Sequence, residues 1–558
     1  MKLSHLGRIL RTVRHLRPVQ IVAQIVHLFG GEARVAAGDG GQPTRSVEHA
    51  AVPFLPAPAH AYYDGGLGFK LLSRHYQFRD EVDWEFQGEG PLWSFHLHQF
   101  DYARGRFVVP GARWRLIDDW IERCHEGPGW APHPISLRIL SWGKLLLTQG
   151  ALELDDTQRA RIHASLADQA QTLAGTLETR LQANHLLSNI LSVVFAGLLF
   201  DDAKADAWLA LESDLKREIA LQVLPDGAHI ERSPMYHALL LENLLDLLNL
   251  ARASDGRASA SLLATLEDAT ARMLGAHRVW THPDGEIALF GDAAFDIAHP
   301  PAALEAYAKD LGVVPVGPSQ PTVLGDAGIY RMEVGELVLI ATAKEPLPAY
   351  QPGHAHCDAL SFELSVGEDR VVTDTGVSEY IPGILRDISR ETASHATVRI
   401  DDCEQSEVWA AHRVGGRAKV VAHHVSGDRV ELACTTWSKR GTQHRRSFRR
   451  VATGIEIEDS IEGTTTPIEF TLPLAPGLAP RLVAAKKTGA VAQSAHRLEI
   501  RLPGGKTLFV ELPAGVAWKL VKRPYFPRFG ENVERSSLVG KADDFRSGIW
   551  KFGLEGKG

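Results

Sequence analysis

The sequence pattern of this chain changes at a proline-rich stretch, Val313-Val314-Pro315-Val316-Gly317-Pro318-Ser319-Gln320-Pro321. Before it, across residues 116–309, apolar residues recur every three or four positions, which is the spacing of amphipathic helices. After it, short runs rich in Val, Ile and Thr alternate with Gly, Asp and Asn turns, which is typical of β-strands. Because its prolines interrupt either pattern, we place a domain boundary here, between residues 1–315 and residues 322–558.

The region before the boundary predicts successive helices joined by short connections that contain Gly or Pro. Residues 239–248 are apolar around most of a helical circumference, so we expect that helix to be buried. Helices that follow one another without intervening strands predict a bundle, a solenoid or a toroid. The helical period is clearest in residues 135–147, 181–200, 209–223, 236–253 and 262–279.

The region after the boundary predicts a large antiparallel β-sandwich, because its strand patterns recur at intervals with turn residues between them. The chain is therefore expected to be a multidomain protein, helical first and then β. The clearest strand patterns are residues 337–341, 371–374, 397–400, 430–433 and 455–458.

Composition excludes some classes of function. A chain of 558 residues is too long for one hydrophobic core and predicts two large domains or three smaller ones. The formal net charge of -8 argues against a general nucleic-acid binder. The 4 cysteines are widely separated without a CxxC pair, so free thiols are expected rather than a disulfide framework.

The first 29 residues combine spaced arginines with an apolar run at residues 19–26. No small-residue cleavage site follows a long apolar core, so the pattern favours an amphipathic basic helix over a secretory signal. No other segment has the length of a membrane span, and no integral membrane segment is expected. These features favour a cytoplasmic location, with the periplasm as the alternative.

The most informative motif is Gly353-His354-Ala355-His356-Cys357-Asp358-Ala359-Leu360-Ser361-Phe362-Glu363-Leu364. An apolar alternation follows its polar residues, and the whole stretch is typical of a β-strand. On an extended backbone, alternate residues project from one face, so His354, His356 and Asp358 are expected to lie on the same side. A solvated face of an edge strand is the structural alternative.

Two further polar clusters precede apolar helical segments. Asn184-His185 stands at the start of a long helix, where capping is an equally good explanation. Tyr236-His237 follows Ser233, a candidate N-cap, and Pro234, which suits the first helical position. Tyr236 could be an ordinary packing residue, although its neighbourhood is rich in groups that donate, accept or hold charge.

Residues later in the chain add candidate ligands. His356, Asp374 and His395 are the right residue types for a zinc ion, but their spacing alone is not diagnostic. Tyr380, six residues after Asp374, could approach a cleft from the sandwich. Arg138 and Arg232 could bind a substrate carboxylate in a bidentate manner, with surface ion pairs as the alternative.

In combination, these segments resemble the heparinase II/III family of polysaccharide lyases. The resemblance implies an incomplete (α/α) toroid followed by an antiparallel β-sandwich, with the substrate in the cleft between them. In the segment at 394–401, Ala396 stands where the family often has Asn. The matching segments are Asn184-His185, the Ser-Pro-x-Tyr-His sequence at 233–237, the segments at 353–362 and 394–401, and an upstream segment at 92–102.

The resemblance also implies a reaction, β-elimination beside a uronic acid, which leaves an unsaturated uronosyl end. Asn184, assisted by His185, would neutralise the uronate carboxylate, as donors do in an oxyanion hole. Either Tyr236 or His354 would abstract the C5 proton, and Tyr236 would protonate the leaving oxygen. His237, beside Tyr236, is expected to contact the substrate.

By the same resemblance, His356, Asp374 and His395 match positions that hold a structural zinc ion. Asp358 is a candidate to orient a histidine, and Cys357 is expected in the core. The expected partner is an anionic polysaccharide or oligosaccharide and not a nucleic acid, and the oligomeric state stays open. Two other functions remain, namely a zinc-dependent hydrolase that uses His354, His356 and Asp358 as ligands, and a noncatalytic carbohydrate-binding or polysaccharide-assembly protein.

Overall fold

The computed structural model describes residues 3–29, 44–317, 323–439, 441–463, 467–484 and 496–555. Part of the proline-rich boundary, residues 318–321, lies outside the described residues. In the described part of the first region, helices α1 to α12 are Leu3–Val13, Pro18–Phe29, Pro91–Gln99, Pro110–Arg123, Pro132–Leu147, Asp156–Gly175, Ala183–Leu199, Ala203–Leu209, Glu212–Gln222, Pro234–Ala253, Ala260–Val279 and Pro301–Asp310.

The periodic segments before the boundary form helices, as predicted. The segment 209–223 is divided, since α8 ends at Leu209 and α9 covers Glu212–Gln222. Helix α7 packs against α5, α6, α8, α9 and α10, and α10 packs in turn against α11 and α12. Almost every side chain of α10 between residues 240 and 251 is buried, which confirms the expected buried helix. These helices form an incomplete (α/α) toroid around one apolar core.

The strands follow mainly after residue 322. A small three-stranded antiparallel sheet within residues 61–77, between α2 and α3, was not predicted from the sequence. Strands β1 to β22 are Ala61–Tyr63, Gly68–Leu71, Arg74–Gln77, Val323–Leu324, Ile329–Val334, Leu337–Thr342, Phe362–Val366, Asp369–Val372, Val398–Ile400, Val408–Trp409, Arg413–Val414, Lys419–Ser426, Arg429–Thr435, Gln443–Val451, Gly454–Glu462, Ile468–Pro473, Ala479–Ala484, His496–Arg501, Thr507–Glu511, Ala517–Tyr525, Val533–Ala542 and Ser547–Leu554.

These strands form the predicted antiparallel β-sandwich. One sheet has the order β4-β5-β6-β7-β8, a larger one β12-β13-β14-β15-β22-β19-β18-β17, and a third β20-β21-β16-β9. Side chains such as Phe362, Phe448, Phe470 and Trp550 fill the apolar core between them. A short helix, α13 (Ile384–Arg390), lies on the connection between β8 and β9.

Toroid and sandwich share apolar surface and buried hydrogen bonds. Trp280 and Phe290 from the first region pack with Leu324 and Ile340 from the second. Glu363 of β7 is fully buried and accepts a hydrogen bond from the backbone N–H of Leu289 at 3.1 Å. These apolar contacts and buried hydrogen bonds hold the two domains together and so define the cleft between them.

The N-terminal segment forms two helices, where one amphipathic helix was expected. Helix α1 ends at Val13 and α2 begins at Pro18, because the residue before a proline disfavours helical backbone angles. Among the described residues, no helix combines the length and the apolar character needed to span a bilayer.

Candidate active site

The candidate active site lies where the starts of α7 and α10 meet two loops, residues 287–296 and 353–361. The start of α10 is set by local sequence, as predicted. The Ser233 hydroxyl accepts a hydrogen bond from the backbone N–H of Tyr236 at 3.4 Å, and Pro234 opens the helix. Ser233 also donates to the carbonyl of Asp292 at 2.6 Å, which joins the helix start to the first loop.

The His-x-His-x-Asp motif is a loop, so the prediction of an extended strand was wrong. Strand β7 begins only at Phe362, and Leu360 has a positive φ of 60°. The backbone N–H of Ala355 bonds to the Pro352 carbonyl, and that of Ser361 bonds to the Asp358 carbonyl. These turns satisfy backbone groups locally, whereas a strand would pair them with a neighbour.

Asp292 holds the two histidines of this loop. Its Oδ2 lies 2.8 Å from Nδ1 of His354, and its Oδ1 lies 2.8 Å from Nε2 of His356. The Arg386 guanidinium contacts both carboxylate oxygens, and Asp292, His356 and Arg386 are all buried. Burial opposes ionisation, but Arg386 and the two histidine hydrogen bonds keep the pKa of Asp292 well below its usual range.

Asp292 and Arg386 were missed by the sequence analysis. A signal for Asp292 exists, since it is the one acidic residue in the otherwise apolar or glycine run 287–295. Its neighbour Gly291 has φ 62°, and a Cβ there would lie 2.8 Å from the His354 carbonyl oxygen. Glycine therefore permits the close approach of the two loops.

Tyr236 lies against His354 and Tyr380. The rings of Tyr236 and His354 have centroids 4.0 Å apart, and the hydroxyl oxygens of Tyr236 and Tyr380 are 2.9 Å apart. Nε2 of His354 lies 3.7 Å from Oε2 of Glu231. Burial and the negative charge of Asp292 raise the pKa of Tyr236 well above its usual value. Tyr236 therefore keeps its proton at neutral pH in the free protein.

Asn184 and His185 stand in the first turn of α7. The Asn184 backbone N–H donates to Oε1 of Glu231 at 3.2 Å, and its side chain lines the same cavity as Tyr236. His185 Nδ1 lies 3.1 Å from Oε2 of Glu178. Burial alone would lower the pKa of His185, but the Glu178 carboxylate raises it above its usual value. The pair thus offers a neutral amide beside a histidine that favours its charged form.

His356, Asp374 and His395 come together as a possible ligand group, with one donor atom of each within 4.8 Å of the others. Each is buried and retains a side-chain atom without a hydrogen-bond partner, namely His356 Nδ1, Asp374 Oδ2 and His395 Nε2. The opposite atoms are held in place, since His356 Nε2 contacts Asp292 and His395 Nδ1 lies 2.8 Å from Asp374 Oδ1. Two imidazoles and one carboxylate with such supporting contacts fit a zinc ion.

Two residues predicted to bind substrate lie in the helical core. Arg138 is fully buried, stacks on Trp120 at 3.9 Å and donates to Gln169 at 2.8 Å. His237 is fully buried and contacts the Met273 carbonyl at 2.9 Å. Both predictions were wrong, because the amphipathic period that contains these residues turns them inward.

Arg232 and Asp358 make contacts other than those predicted for them. Arg232 donates to the carbonyl of Asp326 at 2.7 Å, which links the toroid to the sandwich. Asp358 does not orient a histidine; it pairs with Lys344 at 2.8 Å and accepts from the Gly291 N–H at 3.2 Å. The hydrolase alternative requires His354, His356 and Asp358 to form one group of metal ligands. Among the described residues these three do not form such a group, and Asp358 is instead paired with Lys344.

A cavity extends from Tyr236 and Asn184 into the toroid. Its lining includes the cations of two buried ion pairs, with Lys144 Nζ 2.6 Å from Asp246 and Arg104 2.9 Å from Asp101. Its walls otherwise are largely apolar. The lining includes Leu72, Leu92, Leu137, Leu140, Met235, Leu239, Ile297 and Phe529.

The incomplete helical toroid, the antiparallel sandwich and the cleft at their junction define a fold that this chain shares with solved heparinase structures. Two family descriptions match this chain, "Heparinase II/III N-terminus" over residues 128–309 and "Heparinase II/III-like, C-terminal" over residues 317–547. The chain belongs to the heparinase II/III family.

The individual proteins that resemble this chain have low sequence identity to it. A crystal structure of heparinase III has a TM-score of 0.63 and 16% identity, covering 86% of this chain and 80% of that one. Heparan sulfate lyase HepC from Pedobacter heparinus has a TM-score of 0.56 and 18% identity, covering 90% and 82%. FtsZ-localized protein C of Caulobacter vibrioides is 27% identical over an alignment of 385 residues that covers 65% of this chain and 64% of that protein.

Proposed function

We propose that this protein is a polysaccharide lyase that cleaves a uronate-containing anionic polysaccharide or oligosaccharide by β-elimination. The observation that carries the proposal is the stacked pair of Tyr236 and His354, with ring centroids 4.0 Å apart, beside a cavity that Asn184 also lines. Toroid and sandwich each contribute to this group. Family membership supports the same reaction, since solved members of this fold are named as heparin and heparan sulfate lyases.

The first requirement of the reaction is to lower the cost of removing the proton at C5. The adjacent uronate carboxylate gains negative charge as the proton leaves, so a donor against it stabilises the intermediate. The Asn184 amide supplies a neutral donor. His185, whose pKa is raised by Glu178, supplies positive charge from the next position.

The second requirement is a base and an acid. Asp292 holds Nδ1 of His354, which leaves Nε2 to accept a proton in the neutral imidazole. We assign His354 as the base and Tyr236 as the acid, because burial keeps the Tyr236 hydroxyl protonated. The C5–H electrons form the C4–C5 double bond, and the departing oxygen takes the proton of Tyr236.

A structural zinc ion held by His356, Asp374 and His395 completes the proposal. Zinc would link the loop at 353–361 to the end of β8 and the start of β9. Its contribution would be structural, and it would take no part in the elimination. His356 also contacts Asp292, so the same carboxylate connects the zinc ligand with His354. The protein's own residues would thus fix the base with respect to the sandwich.

Substrates of low charge density fit the cavity best. Arg104 and Lys144 are the cations among the described residues that line it, and both pair with carboxylates. A heavily sulfated chain would bring several anions to a cavity whose arginine and lysine are already paired with carboxylates. We therefore propose an unsulfated uronate polymer as the preferred substrate.

The test is ultraviolet absorbance of the unsaturated uronate, followed with unsulfated and sulfated uronate polymers. Tyr236→Phe and His354→Ala should each lower kcat by about a thousandfold, the usual contribution of a general acid or base. His237→Gln, on the same helix but buried in the core, serves as the control for helix damage. No absorbance change on any polymer with folded wild-type protein would contradict the proposal.

A second candidate rests on the Caulobacter relative, whose name describes localisation with FtsZ. The chain spans 64% of the length of that relative. The second candidate function is a noncatalytic one, in which this protein binds carbohydrate or takes part in polysaccharide assembly. Co-sedimentation with FtsZ polymers tests this association. Association that survives Tyr236→Phe in a protein without lyase activity would favour the second candidate.

A further inference from the structure

Helix α1 is amphipathic, but its polar face packs against the protein and its apolar face is exposed to solvent. Arg11 donates to both oxygens of Glu407, at 2.8 Å and 2.6 Å, and Arg8 reaches the same carboxylate at 3.4 Å. Leu6, Leu10 and Val13, spaced as one helical face, are exposed, and Leu10 keeps 62% of its surface in solvent. A surface helix ordinarily buries its apolar face and exposes its charges.

Helix α2 repeats this inversion. Its buried contact is Gln20, which is 3% exposed and donates to the Tyr350 carbonyl at 3.2 Å. Apolar side chains point to solvent instead, with Val22 60% and Val26 61% exposed. The other exposed apolar residues of this helix are Val19, Ile21 and Ile25. Two consecutive helices therefore present apolar stripes that nothing in the described chain covers.

Positive charge accompanies these stripes. Residues 1–29 contain no Asp or Glu. Arg14 is exposed, and among the described residues no carboxylate pairs with Arg14 or with Lys419. Burial and the nearby charges of Arg417, Arg14 and Lys419 lower the pKa of His15 to about 4. These three cations therefore lie near His15, at the end of α1.

We propose that α1 and α2 form a docking surface for an anionic lipid bilayer, into whose interface the exposed apolar side chains insert. Aliphatic stripes beside basic residues are the features of helices that lie in a membrane interface. Anionic headgroups complement Arg14 and Lys419. A second copy of the chain fits less well, because a two-fold interface would bring the same basic residues against each other. The inference is independent of the proposed lyase activity.

The polar contacts explain how the protein would keep its own structure when bound. Glu407, Tyr350 and the carbonyls of residues 180 and 181 hold the inner faces of the two helices. Insertion of the outer faces therefore requires no helix to leave the protein. The bilayer would lie beside the junction of toroid and sandwich.

The experiment is sedimentation of the full-length protein with vesicles of phosphatidylcholine alone or mixed equally with phosphatidylglycerol. A variant with Leu10→Glu, Val22→Glu and Val26→Glu removes the apolar faces. The matched control carries Phe107→Glu, Val109→Glu and Val314→Glu, which adds the same charge at exposed apolar residues elsewhere. A third variant, Arg14→Ala with Lys419→Ala, tests the basic component. Melting temperature and gel filtration check the folding of every variant.

We expect wild type and control to bind the mixed vesicles, and the first variant to bind at least about tenfold more weakly. The Arg14→Ala, Lys419→Ala variant should also bind more weakly, and added salt should reduce binding by the wild type. Absence of wild-type binding, or equal binding by the first variant and the control, would overturn the proposal. So would a wild-type dimer that only the first variant abolishes, with no vesicle binding, since the second copy would then be the occupant.

Discussion

At the scale of single residues, the central contact is the carboxylate of Asp292. It lies 2.8 Å from both His354 and His356 and is paired with Arg386. The sequence indicated the two histidines because they stand close together in a distinctive motif. The sequence marks Asp292 only as a lone acidic residue in an apolar run, and its 62-residue separation from His354 carries no periodic signal that pairs the two. Contacts between distant loops depend on the packed domains that bring the loops together.

Asp292→Asn tests this positioning role. An amide cannot accept from both histidines and Arg386, so we expect kcat to fall about a hundredfold with little change in KM. Asp459→Asn is the matched control, since Asp459 also pairs with an arginine and a histidine, Arg446 and His444, but lies in the sandwich core. Kinetics on the best uronate polymer provide the measurement. Equal losses of kcat in both variants would contradict a specific role for Asp292.

Removal of a zinc ligand is the second prediction at this scale. We expect wild-type protein to contain stoichiometric zinc by atomic emission, and His395→Ala to lose it, because a three-residue site cannot spare a ligand. His444→Ala, another buried histidine paired with a carboxylate, should retain the metal. Chelation should lower the melting temperature of the wild type more than that of His395→Ala. Zinc-free wild-type protein prepared without chelators would contradict this assignment.

At the scale of elements, regular structure followed sequence pattern closely and irregular structure did not. The periodic segment at 236–253 became α10, because its period, its Ser233 cap and Pro234 agree. The motif at 353–361 has the alternation of a strand, yet it forms turns because Asp358 is held by Lys344 and Gly291. Alternation reports side-chain polarity, and it does not report which backbone groups find a partner in the same sheet.

Strands β14 and β15 provide a prediction about pH and stability. Burial opposes ionisation of Asp459, but the charge of Arg446 and the hydrogen bond from His444 lower the pKa of Asp459 below its usual value. A carboxyl with a lowered folded-state pKa stabilises the protein above its unfolded pKa, near about 4, and this stabilisation is lost as pH falls.

Asp459→Asn should therefore reduce the free energy of unfolding at pH 7 by about 3 kcal/mol. The difference between wild type and variant should shrink by about 1.4 kcal/mol for each pH unit below about 4. Chemical denaturation at several pH values measures both quantities. A difference that grows as pH falls would have the wrong sign and would refute the ion-pair account.

At the scale of the whole molecule, the cleft exists because the toroid and the sandwich are fixed to each other. Buried contacts such as Glu363 with Leu289, and apolar packing of Trp280 with Leu324, cross the junction. Helix order and strand order predicted the two domains. The surfaces by which they meet were not predicted, since an apolar side chain has the same sequence signature in a domain core and at a domain junction.

The N-terminal helices provide a prediction at this scale. Glu407→Gln removes the carboxylate that holds Arg8 and Arg11, so α1 should exchange its amide hydrogens faster. Because Arg11 is partly exposed, global stability should fall by less than about 1 kcal/mol. Hydrogen exchange by mass spectrometry measures the local effect, with Glu462→Gln as a control that breaks an exposed pair with Arg445 elsewhere. Unchanged exchange in α1 would contradict the role of Glu407.

Product analysis by mass spectrometry distinguishes elimination from hydrolysis, because the two reactions leave different ends on the uronate. Elimination breaks the C4–O bond without adding water, so mass spectrometry should detect an unsaturated uronosyl end that is one water lighter than a hydrolytic end. Hydrolysis would add one solvent oxygen and leave a saturated end. We expect the unsaturated end from wild-type protein, and a saturated uronosyl end in its place would contradict elimination.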